Sequence, residues 1–269
     1  MNYPFLVIKI GGGKGLNLAN CLQDIAVLTQ SYRVVIVHGV SDEMNKLCES
    51  RAIPVEIIIS PSGHESRYTN SSVRDVFVEA AQNVNHQIVE RLEALGIHAY
   101  GCINPRSTII QASRKTAIRA LVNGRQRLIR DDYSGTITAV DTDQLGRILE
   151  EFDIAVIPPY ALSPDGFLNV DGDRASAQIA VSLEANQLII LSNIEGLYED
   201  ISDKDSLIDQ IHLNDIDTAL NYAQGRMKRK IIGAQEALEG GVSRVIIADG
   251  RVVNPISRAL AGDGTEVFA

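Results

Sequence analysis

Lys9 stands just ahead of three glycines in the string Lys9-Ile10-Gly11-Gly12-Gly13. Glycines after a buried strand let backbone N–H groups approach an anion closely, and the helix that follows adds the favourable end of its dipole. Lys9 would set a positive charge beside that anion. The run matches neither the dinucleotide-binding G-x-G-x-x-G nor the P-loop G-x-x-x-x-G-K-[ST], so a bare strand-to-helix turn also accounts for it. His38-Gly39 closes a second apolar run in the same way, with Ser41 as candidate N-cap of the next helix. His38 itself reads as a turn or packing residue rather than a base. Two glycine turns at the carboxyl ends of parallel strands point to one crevice, where open α/β sheets bind ligands.

Two later segments place charge at helix starts. Asn169-Val170-Asp171-Gly172-Asp173 precedes a helical stretch over residues 174–185, and Asp173 reads either as a cap or as a carboxylate that orients basic residues. Gly225-Arg226-Met227-Lys228-Arg229-Lys230 opens a helix running to about Glu239. Its cations oppose the helix dipole, which prefers negative charge there. A solvated basic face is one reading; an anionic ligand is the other.

The elements that must position these residues alternate along the chain. Phe5-Leu6-Val7-Ile8-Lys9-Ile10 reads as a buried strand, followed by apolar positions at helical spacing over residues 16–30. Val34-Val35-Ile36-Val37, Ile154-Ala155-Val156-Ile157, Leu188-Ile189-Ile190-Leu191 and Val245-Ile246-Ile247-Ala248 repeat the pattern. Strands apolar throughout and separated by helices imply a mainly parallel sheet covered on both faces, a three-layer α/β/α fold. Between residues 108 and 140 the alternation fails, and Asn123-Gly124 supplies the strongest short hairpin signal. The expectation is an inserted antiparallel hairpin of residues 114–122 and 125–130. It carries Arg114, Lys115, Arg119, Arg125, Arg127 and Arg130 with no acid between residues 113 and 130, and on a strand Lys115 and Arg119 would share a face. Such a run either protects a sheet edge or meets an acidic partner.

Composition narrows the class. The chain has 269 residues, 25 Lys+Arg against 34 Asp+Glu, and a net charge of −9. An acidic pI near 5.1 and 5% aromatic residues argue against a general nucleic-acid or anionic-membrane binder. No apolar run approaches the roughly 20 residues of a membrane span, and no signal peptide is evident at the start. Cys21, Cys48 and Cys102 lack metal-ligand spacing and read as reduced, partly buried thiols of a cytoplasmic enzyme.

Taken together, Lys9-x-Gly-Gly, His38-Gly39, Ser66-Arg67-Tyr68-Thr69, Asn169-x-x-x-Asp173, Leu191-Ser192-Asn193-x-x-Gly196-Leu197 and Gly225-x-Met227-x-x-Lys230 resemble the amino acid kinase family, within it the acetylglutamate kinase branch. The order and spacing agree over essentially the whole chain. Further similarity lies in Gly63-x-x-Ser66-Arg67-Tyr68-Thr69, Asp132-Tyr133-Ser134-Gly135-Thr136, Ala223-Gln224-Gly225-Arg226-Met227-Lys228-Arg229-Lys230 and Ala248-Asp249-Gly250-Arg251-Val252-x-Asn254-Pro255-Ile256. These strings resemble the branch that phosphorylates the distal carboxylate of aminoadipate carried on a small acidic amino-group carrier protein, LysW, in lysine biosynthesis; some relatives also accept the glutamate-loaded carrier.

The resemblance implies roles. Lys9 and Lys230 would flank the transferring phosphoryl group, and Asp173 would hold the two ammonium groups. Gly11, Gly12 and Gly39 would offer backbone N–H groups to the phosphates and the attacking carboxylate. Arg67 would clamp a substrate carboxylate and Asn169 would hydrogen-bond the substrate near its amide. Ser192, Asn193, Gly196 and Leu197 would line the ATP site, with Mg²⁺ held mainly by ATP oxygens and water, so that no protein metal site is expected. Residues 1–175 would form the lobe for substrate and dimerisation and residues 176–269 the ATP lobe of one continuous fold. The chain begins almost directly with its first strand, which favours a homodimer over the hexamers that relatives assemble through an N-terminal helix. Two departures stand out: Val40 where relatives of that branch read a second glycine, and Asn193 where they read Asp. The competing readings are acetylglutamate kinase acting on the free substrate in arginine biosynthesis, and a non-catalytic binding or regulatory protein on the same fold.

Overall fold

In the computed structural model, which describes residues 3–60, 65–104, 106–122 and 125–269, the apolar runs assemble into one eight-stranded sheet. Its spatial order is Gln210–His212, Thr265–Phe268, Arg244–Asp249, Gln187–Ser192, Phe5–Ile10, Arg33–His38, Ile154–Ile157, Ala99–Gly101. Every neighbouring pair is parallel except Arg244–Asp249 with Thr265–Phe268. The three-layer, mainly parallel expectation holds. Among the described residues no helix is long and apolar enough to cross a membrane.

Side chains on Phe5–Ile10 alternate between faces, and the two faces have separate cores. Leu6, Ile8 and Ile10 join Leu22 and Ile25 of helix Leu18–Leu28, Ile88 and Leu92 of helix Ser71–Ala94, and Ile256 of helix Pro255–Leu260. Val7 joins Ala177 and Ala180 of helix Gly172–Ser182 and Ile231 and Ala234 of helix Gly225–Glu239. Lys9, two residues after Val7, therefore leaves the strand towards the two helices whose starts carry Asp173 and Lys230. The strand sits where sheet order reverses, with Arg33–His38 on one side and Gln187–Ser192 on the other. The crevice at its carboxyl end is the expected ligand position.

Both glycine turns are built by backbone approaching backbone. A Cβ on Gly12 would stand 2.2 Å from the Val40 nitrogen, and one on Gly39 would stand 2.3 Å from the Gly12 nitrogen. The Asp42 N–H closes the pair by donating to the Gly12 carbonyl at 2.7 Å. Helix Ser41–Ser50 is entered from Val40, with no side-chain cap, so Ser41 is its first helical residue and not the cap expected. The capping work is done by the Gly12 contact and by Asp42 and Glu43 in the first turn. Helix Gly172–Ser182 is likewise capped by Asp171, whose carboxylate accepts from the Asp173 and Arg174 amides at 3.0 Å each. Asp173 is thereby free for other work.

The inserted region differs from expectation in extent. Ile110–Arg114 and Gly135–Val140 pair antiparallel in a four-stranded sheet with Tyr160–Ser163 and Gly166–Asn169. The hairpin proper is Ile118–Val122 with Arg125–Ile129, in a second four-stranded sheet with Ile57–Ile59 and Glu65–Arg67. Arg114 belongs to the first sheet and Lys115 lies between the two strands, so the shared strand face expected for Lys115 and Arg119 does not form. The Asn123-Gly124 turn and Gly63 lie outside the described residues. Cys21, Cys48 and Cys102 are free and buried, and burial pushes the Cys21 and Cys102 thiols up to about 12.

The glycine contact predicts an asymmetric response to alanine. Gly12→Ala forces the two turns apart and is expected to cost about 1–3 kcal/mol or more of stability. Gly146→Ala, in helix Thr142–Glu151 with nothing within 4 Å of the added carbon, is expected to stabilise by about 0.5–1 kcal/mol. Urea midpoints of the two variants measure both, and equal midpoints would contradict the close approach.

Candidate active site

Lys9, Asp173 and Lys230 converge at the carboxyl end of the central strand. The Lys9 ammonium lies 2.8 Å from Asp173 Oδ1, and the Lys230 ammonium lies 3.3 Å from Oδ1 and 3.2 Å from Oδ2. Each of the three residues is only 7% exposed. Helix geometry supplies the partners. Asp173 shares a face with Ala177 and Ala180, four and seven residues on, while Lys230 precedes Gly233 by three. Gly233 is where the two helices touch, since a Cβ there would meet the Asp173 carbonyl oxygen at 3.2 Å.

The electrostatics of this group decide its chemistry. Burial alone would raise the Asp173 pKa, but Lys230 and Lys9 reverse that and hold it well below the usual carboxylate range. Burial pushes the Lys230 ammonium down to about 8, against the attraction of Asp173, and the charge of Lys9 adds to the fall. One buried anion between two buried cations leaves a net positive charge in a poorly solvated place. Such a site is stabilised by an incoming anion.

A cavity of about 1400 Å³ opens beside the triad and gathers most of the residues the sequence singles out. Lys9, Gly11, Gly12, Gly39, Arg67, Asn169, Asp173, Ser192, Asn193, Gly196, Leu197 and Lys230 all line it. The glycine roles change on inspection. The Gly11 N–H donates to the Leu191 carbonyl at 3.1 Å and the Gly39 N–H to the Ile10 carbonyl at 2.8 Å, so neither amide is offered to a ligand. These two glycines make room; within residues 11–13 and 39–41, the amides without an acceptor are those of Gly12, Gly13, Val40 and Ser41. Val40 fits this turn because its φ of −133° is ordinary and its side chain packs with Met44, Phe77 and Tyr160.

Arg67 enters from the end of strand Glu65–Arg67. Its Nη2 donates to Asn45, while Nη1 is buried and without a partner, an orphan donor suited to a carboxylate. Asn169 Nδ2 donates to Thr69 Oγ1 at 3.2 Å. Asp132, buried, accepts from the Thr69 and Ser134 amides at 2.9 and 2.7 Å and so ties this corner together. On the other side, Ser192 is buried and Asn193 exposed at the rim. Gly196 is held against Thr265, whose Oγ1 would lie 2.3 Å from a Cβ there and accepts the Leu197 N–H at 2.8 Å. His38 is buried and neutral: burial drives its imidazole to about 4, and Nε2 faces Asn85 Nδ2 at 3.2 Å. Packing, not proton transfer, is its role.

The basic run is not one surface. The Arg114 guanidinium is committed, donating to the Asp132 and Arg130 carbonyls at 2.9 and 3.1 Å and lying over the Tyr133 ring. Lys115 lines the cavity. Cross-strand pairing puts Arg125 and Arg127 opposite Val122 and Ala120, while Arg119 pairs with Leu128 on the other face. Arg119, Arg125, Arg127 and Arg130 are exposed.

The model of the "Amino acid kinase family" matches residues 4–249. The chain belongs to that family. Among similar amino acid kinases, the [LysW]-aminoadipate kinase of Deinococcus radiodurans is 39% identical over 97% of this chain and 91% of its own length. The [LysW]-aminoadipate kinase of Thermus thermophilus is 38% identical over 97% of this chain and 99% of its own. Among solved structures, N-acetylglutamate synthase from Neisseria gonorrhoeae, complexed with coenzyme A and N-acetylglutamate, superposes with a TM-score of 0.78 at 25% identity. The match covers 99% of this chain and 59% of that one, so this chain spans less than two thirds of that structure.

Sequence reasoning missed several residues of this kinase site. Asp171 caps its helix and pairs with Arg229 at 3.3 Å; Asp–x–Asp at a helix start was the available signal. Gly233 and Thr265 hold elements together from afar and left no local trace.

The depressed Lys230 pKa generates a pH prediction. A Lys230 that stabilises a transferring phosphoryl group would do so as the charged ammonium, so kcat/KM is expected to fall above an apparent pKa near 8. Bound phosphate favours the charged form and moves the limb upward in kcat. The stability sign is separate: the unfolded lysine binds more protons between the two pKa values, so this group's contribution rises with pH there. Rate profiles of wild type and Lys230→Arg test the first claim, the arginine removing the limb. An identical limb in both would contradict it.

Proposed function

We propose that this chain transfers the γ-phosphoryl group of ATP to the distal carboxylate of α-aminoadipate carried on the acidic amino-group carrier protein LysW, giving an acyl phosphate and ADP. The observation that carries the transfer is the buried, net-cationic Lys9–Asp173–Lys230 group at the edge of the cavity. An oxygen of the already anionic carboxylate forms the new bond to phosphorus. The bond from phosphorus to the β–γ bridging oxygen breaks, and its electron pair leaves with ADP. No proton moves, and no general base is required. Lys9 and Lys230 neutralise charge on the equatorial oxygens, while Asp173 fixes both ammonium groups.

The tight glycine pair, with open amides at Gly12, Gly13, Val40 and Ser41, fits ATP phosphates. Asp173 is taken by two lysines and Asp171 by Arg229 and two amides, so ATP oxygens and water would be the main ligands of Mg²⁺, which would add charge neutralisation when bound. Ser192, Asn193, Gly196 and Leu197 would line the nucleotide side; Arg67 would take a substrate carboxylate and Asn169 its amide. We place the substrate lobe at residues 1–175 and the ATP lobe at 176–269, with helix Gly172–Ser182 shared between them. In this reading the enzyme is a cytoplasmic homodimer serving lysine biosynthesis, and arginine biosynthesis where glutamate is also accepted.

Support for a protein-borne substrate comes from the small sheet beside Arg67. Exposed Arg119 shares a face with exposed Ile57, Ile59, Leu121 and Leu128, exposed Arg125 and Arg127 occupy the other face of the same hairpin, and exposed Arg130 follows its last strand, in a chain of charge −9. Local cations beside uncovered apolar side chains suit an acidic protein. Hydroxamate trapping with ATP and Mg²⁺ tests the reading on carrier-linked aminoadipate, carrier-linked glutamate and free acetylglutamate. Carrier-linked aminoadipate is expected to be turned over, and Arg125→Glu with Arg127→Glu is expected to raise its KM about tenfold or more. Preference for free acetylglutamate would overturn the assignment in favour of an arginine-pathway kinase.

A further inference from the structure

Arg226 begins the second position of helix Gly225–Glu239, and its guanidinium takes no hydrogen bond or ion pair among the described residues. It lines the same cavity as the triad. Lys230 follows four residues later, so the two cations rise from one face of the helix. The Arg226 side chain reaches across the crevice to the glycine turn: Nη1 lies 3.7 Å from where a Cβ on Gly13 would stand. Arg67 lines the same cavity, and the Arg226 charge lowers its pKa, a smaller effect than the burial of Arg67 itself.

A cation in the first turn of a helix opposes the dipole, and a second cation in the cavity that Arg67 lines adds repulsion. Both costs are offset when an anion lies between the groups. Arg67 reaches this place from the side of the acceptor, with one nitrogen buried and unpartnered. Arg226 reaches it from the helix that carries Lys230, above a glycine whose amide has no acceptor among the described residues. The planar fork of arginine suits a phosphoryl group with two oxygens presented together.

We propose that Arg226 is a further catalytic residue, binding the γ-phosphoryl group of ATP at the seam between Gly13 and Arg67, where the acceptor carboxylate meets it. This rests on the kinase reading above and adds a third cation to Lys9 and Lys230. While the β–γ bond breaks and the carboxylate–phosphorus bond forms, Arg226 tracks the moving group and neither gives nor takes a proton. Reaching from the nucleotide side to the acceptor side, it couples the seating of the two substrates.

Calorimetric titration of wild type, Arg226→Ala and Arg226→Lys with ADP and with AMP-PNP, alongside kcat, tests the proposal. For Arg226→Ala the expected result is ADP affinity within about twofold of wild type, AMP-PNP affinity about tenfold lower, and kcat about 10²-fold lower. Arg226→Lys is expected to recover part of each, having the charge without the fork. Equal weakening of both nucleotides, or unchanged AMP-PNP affinity and kcat, would overturn it. The nucleotide comparison needs no acceptor, so a wrong carrier assignment leaves it readable. Failure of the wild-type chain to bind either nucleotide would overturn the kinase reading and this one together.

Discussion

A single carboxylate held between two buried ammonium groups is the constraint around which the site is arranged. Asp173 cannot lose its charge at ordinary pH, because Lys230 and Lys9 outweigh the burial that would neutralise it. Nor can the group be balanced internally, since three charged side chains leave one positive charge over. Taking ions out of water costs several kcal/mol apiece, and the attraction between them returns only part of that. An arrangement so costly in the free protein is favourable when an anion completes it. Phosphate transfer is the use that follows.

The remaining architecture serves to hold that group. Strand alternation turns Lys9 away from the core of Leu6, Ile8 and Ile10 and towards the helical layer where Asp173 and Lys230 begin their helices. Asp171 takes over the capping of Gly172–Ser182, which releases Asp173. Gly233 lets the two helices close until Lys230 reaches the carboxylate. Gly12 against Gly39 brings the two turns together, leaving amides of the second turn open next to the lysines. Each is a local device, and each has its effect at the same few ångströms of the crevice.

Much of this is legible in the residues. The apolar β-branched runs mark all the long central strands, because strands buried on both faces lack alternation and stand out from the helical segments between them. Lysine and glycine at strand ends, and a basic helix start, identify the crevice. What could not be read is which of several chemically similar groups does which task. Asp171 and Asp173 are both plausible caps by spacing, and only the backbone angles at the helix start decide between them. Gly11, Gly12 and Gly39 look equivalent as amide donors, yet the amides of Gly11 and Gly39 are used by neighbouring strands. The basic run reads as one hairpin, but a change of sheet between Arg114 and Ile118 separates Arg114 from the rest, and cross-strand register puts Arg119 on the face opposite to that of Arg125 and Arg127. Pairing partners far away in sequence set these outcomes.

The central claim is that Asp173 is present to hold two cations for a ligand's sake and at a cost to the free protein. Urea unfolding of Asp173→Asn, Lys230→Met and the double variant, each assayed for turnover, tests it most directly. The account predicts that Asp173→Asn loses about 3–5 kcal/mol by leaving two buried ammonium groups facing each other. It predicts that the double variant regains most of that stability while remaining inactive. A double variant as unstable as Asp173→Asn alone, or one that still forms acyl phosphate, would contradict it.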